Sequence, residues 1–199
     1  MKKLLSLLGL SAFLLTGLFA QTAEDRAKAV AYLQKTEAGV IDAAKGLSAA
    51  QLNFKAAPDR WSVAEVLEHI AAAEDMLMGM VHEQVMKTPA TPAAEDAKAT
   101  DAFVLTALPD RSHKLQAPEP LKPTNRFGSP DGSLKHFEAS RAGTIAFLND
   151  TKDLREHATD SPLGKKLDGY QWLLFIAAHS ERHTKQMLEV KADPNFPKA

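Results

Sequence analysis

The chain contains no cysteine among its 199 residues, which excludes a disulfide framework, a thiolate nucleophile and sulfur ligands for a metal. Whatever chemistry it performs must run on nitrogen and oxygen. Excess charge of either sign is also missing: 24 Lys+Arg against 25 Asp+Glu leave a formal charge of -1. That balance, with no basic block or stripe, gives no electrostatic footprint for nucleic acid. Strict alternation of apolar and polar residues is absent, so no segment reads as a convincing strand. Nor is there a repeat or low-complexity block that would divide the chain into several domains.

The one long apolar run spans Leu4 to Phe19, behind Met1-Lys2-Lys3 and ahead of Ala20 and polar Gln21. A charged start, an apolar middle and a small residue before a polar one describe an export signal. The run falls short of the roughly 20 residues a membrane span needs. The expectation is a signal peptide over residues 1–20 and a single domain over 21–199. It would be periplasmic or secreted, with no membrane attachment after cleavage. The absence of cysteine at the junction excludes a lipid anchor there. Loss of Lys2 and Lys3 would move the formal charge from -1 to -3, and about 180 residues remain, enough for one real core.

Apolar residues recur at three and four, so the class is all-α, with four long helical segments. The first runs from about Ala23 to Lys45, with Val30, Leu33, Val40, Ile41 and Ala44 on one side and Gly46 marking its end. A short turn follows, where Ser48 and Gln51 stand at capping-box spacing. The second opens with Ser62 as N-cap and Glu65 as its reciprocal partner, Trp61 at the staple position. Its stripe of Val63, Val66, Leu67, Ile70, Leu77 and Val81 runs to about Met86. A Pro- and Ala-rich connection of some forty residues, Lys87 to Gly128, holds at most one short helix near Asp101 to Leu108. This is far longer than an ordinary bundle turn and lets the third helix run parallel to the second, a crossover topology. Ser129-Pro130-Asp131 starts that third helix, cap then proline, with Leu134, Phe137, Ile145 and Leu148 inward to about Thr151. Ser161-Pro162-Leu163-Gly164 reads as a loop. The fourth helix runs from about Asp168 to Lys191, before Pro194 and Pro197 forbid continuation.

His179 and His183 stand one helical turn apart on the same face as Trp172, Phe175, Ile176, Met187 and Val190. That is the inward stripe. His69 lies inside the apolar stripe of the second segment. Three imidazoles from two packed helices would form a facial set with coordination positions left open, acceptable to zinc, nickel, iron or manganese. Each histidine could instead be a core residue satisfied by a carbonyl or an acid. His82 rotates away from His69 toward solvent, His113 and His157 fall in loops, and His136, between Leu134 and Phe137, reads as structural. Peptidase chemistry is disfavoured, because His179-Ser180-Glu181-Arg182-His183 has no glutamate directly after the first histidine or directly before the second. Glu181 points off the face and pairs with Lys185. Glu65 is accounted for by its cap, and Gln186 shares the histidine phase.

The segments Ala57-Pro-Asp-Arg-Trp-Ser-Val-Ala-Glu-Val-Leu-Glu-His69 and Tyr170-Gln-Trp-Leu-Leu-Phe-Ile-Ala-Ala-His-Ser-Glu-Arg-His-Thr-Lys-Gln186 together resemble the DinB/YfiT-like superfamily of metalloenzymes. The resemblance extends over roughly Thr22 to Lys198. It implies a four-helix bundle with a long crossover between helices 2 and 3, a divalent metal held by His69, His179 and His183, and often a homodimer. Characterised members of that family include enzymes that move a low-molecular-weight thiol onto a substrate, and a thiol-dependent isomerase. The expected function is an exported metal-dependent hydrolase or transferase acting on a small molecule, whose catalytic acid or base the sequence does not name. The alternatives are a non-catalytic metal- or small-ligand-binding periplasmic protein, and a metal that only staples the bundle.

Overall fold

The computed structural model describes residues 22–114 and 116–198; the expected export signal over residues 1–20 lies outside them. Helices start where a side chain can take up the orphaned N–H groups of a first turn. Thr22 caps α1 (Ala23–Ala44), and Ser48 caps the single turn α2 (Ala49–Leu52). Ser62 caps α3 (Val63–Glu83), and its capping box with Glu65 is formed as the sequence predicts. In the connection α4 (Ala97–Ala107) starts four residues earlier than expected. Ser129, with Pro130 in the first turn, opens α5 (Pro130–Asp150), and Asp168 opens α6 (Gly169–Lys191) with Gln171 as its reciprocal partner. No helix among the described residues is long and apolar enough to cross a membrane.

The bundle pairs parallel helices. Along α1 and α6, Tyr170 Oη donates to the Asp25 carbonyl (2.8 Å), Tyr32 Oη to Glu181 (2.9 Å) and Lys191 Nζ to the Ala43 carbonyl (2.9 Å), so the two run in the same direction. Phe137 clusters with Val66 and Ile70, whereas Leu148 clusters with Val81 and Val85, so α5 runs parallel to α3. His69 meets His183 while Val81 and Val85 pack with Tyr170 and Leu173, making α3 antiparallel to α6. The long connection therefore crosses back along the bundle before α5 begins, the topology expected from its length.

One correction concerns strands. Ala158–Asp160 (β1) and Lys166–Asp168 (β2) pair antiparallel, Thr159 opposite Leu167. Gly164, at φ 72°, makes the turn between them in the left-handed region glycine tolerates. Three residues per strand give no period-two pattern to detect. The hairpin's second strand leads straight into the cap of α6.

Candidate metal centre

One local device and one long-range device place His69. The Ser62 cap fixes where α3 starts, and the following turns bring residue 69 inward to 3 % exposure. The Glu68 carboxylate then accepts the main-chain N–H groups of Thr124 (2.7 Å), Asn125 (2.8 Å) and Arg126 (3.1 Å). Asn125 takes up φ 62°, a conformation asparagine adopts more readily than most residues. Arg126 completes the clamp by donating to the carbonyls of Pro120 (2.8 Å) and Lys122 (2.7 Å). The held segment delivers the Leu121 carbonyl to His69 Nδ1 at 2.9 Å.

The start of α6 is fixed by a buried ionic cluster. Arg155 bonds both carboxylate oxygens of Asp101 (2.7 Å each) and one of Asp168 (2.9 Å). Further along, the fully buried Arg141 of α5 pairs bidentately with Glu74 of α3 (2.7 Å each) and donates to Ser180 Oγ (2.8 Å), the neighbour of His179. Arg182 donates to the carbonyls of Leu108, Asp110 and His113, pinning the connection against α6.

These anchors bring the three predicted histidines together. One nitrogen from each of His69, His179 and His183 lies within 4.8 Å of the others. The rings pack at centroid distances of 5.1, 4.4 and 4.4 Å. His69 Nε2 and His183 Nε2 are 3.2 Å apart. Nδ1 of His183 is matched to Gln186 Oε1 at 2.8 Å, as Nδ1 of His69 is to the Leu121 carbonyl. Both partners are oxygen acceptors, so each Nδ1 carries the proton and each Nε2 keeps its lone pair. Two lone pairs facing each other at this distance repel unless a cation lies between them. Two nitrogens on one zinc at Zn–N of 2.0–2.1 Å stand about 3.3 Å apart at a tetrahedral angle. The donor set thus fits a borderline divalent ion.

The electrostatics agree. Burial pushes His69 below the ordinary histidine range, against the Leu121 carbonyl, which works to raise it. Burial and then the neighbouring His183 and His69 hold His179 well down. Burial and then His69 bring His183 to about 3, although Gln186 opposes the shift. Neutral imidazole is the ligating form.

A cavity of about 370 Å³ opens in front of the three rings. Trp61, expected only to staple α3, stands 4.9 Å from the His69 ring and forms one wall. His113, without a role in the sequence, is a wall residue too. Gln186 reaches both His183 and Arg111 Nη1 (3.3 Å). The remaining sequence candidates lie elsewhere: Glu65 closes its capping box and pairs with Lys55 (2.9 Å), and Glu181 pairs with Lys185 (2.9 Å). His136 bonds Asp75 (2.6 Å), His157 bonds the Thr88 carbonyl (2.7 Å), and exposed His82 packs on Phe147. Sequence reasoning missed Glu68, whose inward phase beside His69 was the available signal, and the connection residues, which no helical period marks.

Comparison with known proteins follows the same lines. The DinB superfamily profile matches residues 32–187. Protein YuaE of Bacillus subtilis (strain 168) is 30% identical over 148 residues, covering 74% of this chain and 87% of that protein. Among solved structures, YfiT from Bacillus subtilis, described as a probable metal-dependent hydrolase with an unusual four-helix bundle topology, superposes with a TM-score of 0.55. The identity there is 15%, over 88% of this chain and 91% of that one, so the likeness speaks for the fold. Together with the helical order and the crossover, these matches place the chain in the DinB superfamily.

Proposed function

We propose that this protein is a metal-dependent enzyme, a hydrolase or group transferase, that acts on a small molecule through one divalent ion held by His69, His179 and His183. The observation that carries the reading is the facing pair of Nε2 lone pairs at 3.2 Å, each ring fixed from behind by an oxygen acceptor. Bound there, zinc, nickel, iron or manganese would supply Lewis acidity, drawing electron density from an oxygen of water or substrate so that a nucleophile is available near neutral pH. The chain's own residues do the rest. Leu121 and Gln186 keep the protons on Nδ1 and the rings in orientation. Trp61, Leu108 and Phe175 form walls that displace water from the reacting group. Among the described wall residues outside the triad, Asp59 and His113 carry the side chains chemically suited to act as a general base. Export to the periplasm or medium and assembly as a homodimer belong to the same proposal, as does the absence of a nucleic-acid or membrane partner. They rest on the amino-terminal sequence, the family and the charge balance.

The test is elemental analysis of the purified protein beside His69→Ala and His183→Ala, followed by ester, amide and thiol-transfer assays. One equivalent of metal in the wild type, lost in both variants together with turnover, is expected. Absence of stoichiometric metal after reconstitution with all four ions would sink the proposal. Metal retention without turnover would leave the non-catalytic binding protein.

A further inference from the structure

Five cationic side chains and one carboxylate, Asp59, line the cavity in front of the three histidines. Two of the five are answered elsewhere: Arg111 by both oxygens of Glu189 (2.7 Å each), and Lys122 by Glu119 (2.6 Å). Arg182 is nearly buried, and its guanidinium bonds main-chain carbonyls, which are dipoles without a compensating charge. Arg60 and Lys114 are exposed lining residues that hold no close ion pair among the described residues; Glu189, already paired with Arg111, also feels the charge of Arg60. A divalent ion between the three histidines would add to the positive field. Apolar side chains, Trp61, Leu108, Leu163 and Phe175, supply other parts of the lining. A concave site of this size suits a small organic ligand, and low-dielectric walls focus the field of the cations into it.

We propose that the substrate is a small organic anion with an apolar body, its carboxylate or phosphate held at the mouth by Lys114 and Arg60 while its reactive end faces the three histidines. This rests on the enzymatic reading above, yet binding tests it independently of turnover. The probes are phenylacetate, phenyl phosphate, phenylacetamide and phenethylammonium. Each is titrated calorimetrically into the full chain, metal-loaded and chelator-treated, and into the double variant Lys114→Ala/Arg60→Ala. Both anions should bind at least about tenfold more tightly than the amide, the size of effect expected for charge-assisted contacts. The ammonium should not bind. Raising salt from about 50 to about 200 mM should weaken the anions alone. The double variant should lose about tenfold for the anions and nothing for the amide. Which anion wins distinguishes carboxylate from phosphate. Equal binding of amide and anions, no binding of any probe at millimolar concentration, or an anion preference that survives the double substitution overturns the inference. Anion preference in chelated protein that binds no stoichiometric metal would sink the metal reading alone, and stoichiometric metal without anion preference would sink this one alone.

Discussion

Removing Glu74 should destabilise the bundle far more than removing Glu74 and Arg141 together. Both side chains are buried, Arg141 to 0 % exposure, and they face each other across α3 and α5 with two bonds of 2.7 Å. Glu74→Ala leaves a guanidinium inside the protein with no counter-charge, which costs roughly 3–5 kcal/mol. At about 2–4 °C per kcal/mol for a domain of this size, the melting temperature should fall by roughly 6–20 °C. Glu74→Leu with Arg141→Met removes both charges and keeps apolar volume. The hydroxyls they leave behind are not orphaned: Thr36 Oγ1 donates to the Leu33 carbonyl (3.0 Å), Ser180 Oγ to Ile176 (3.3 Å) and Thr144 Oγ1 to Ser140 (3.2 Å). The double variant should therefore recover at least half of the single variant's loss. Urea unfolding followed by far-ultraviolet circular dichroism measures both. A loss below about 1 kcal/mol for Glu74→Ala, or strictly additive losses, would refute the picture of a mutually dependent buried pair.

Three further outcomes follow from local geometry. Glu68→Gln weakens the carboxylate clamp on residues 124–126 and so the carbonyl that orients His69; metal affinity, read by competition with a chromophoric chelator, should fall about 10–100-fold. Ser62→Ala removes the side-chain acceptor of the α3 cap and should cost about 1 kcal/mol in a urea titration. Burial raises the Asp25 carboxyl, but Lys98 and the Thr22 N–H outweigh it, and the net shift is downward from 3.8. A carboxyl depressed in the folded state contributes stability that is complete above its unfolded value and is lost as pH falls through the folded one. Melting temperature measured from neutral pH to below 3 should therefore drop less steeply at the acid end in Asp25→Asn than in the wild type.

The helices that carry the site were legible because their signals are local. Ser62 and Glu65 three residues apart, Ser129 before Pro130, and the phase of His179 and His183 on an apolar stripe depend on neighbours within a turn or two. Arg141 was not legible. It lies on α5 between Phe137 and Leu148, in line with core positions, and nothing within a helical turn reveals that Glu74, 67 residues away, would meet it there. Arg155, Asp101 and Asp168 met for the same hidden reason, through a hairpin too short to carry a period. Trp61 was read correctly as packing beside the α3 cap, yet its second face belongs to the cavity, and a single sequence position cannot declare two neighbours.

The crossover explains why helices and connection divide the labour. His69 sits near the start of α3, whereas His179 and His183 sit at and just past the middle of α6, and these two regions meet because the helices are antiparallel. α5 runs parallel to α3, so the chain leaving the far end of α3 must travel back past the histidine end before α5 can start. Residues 108–114 and 116–122 are the described part of that return which passes the cavity, and they supply Leu108, Arg111, His113, Lys114 and Leu121 to it. The rigid bundle fixes the ligating nitrogens, while a segment free of helical periodicity shapes the mouth. Substitutions confined to 111–114 and 116–118 should accordingly alter which small molecule enters while leaving metal stoichiometry intact, whereas substitutions at Leu121's anchor, Glu68, should disturb the metal first.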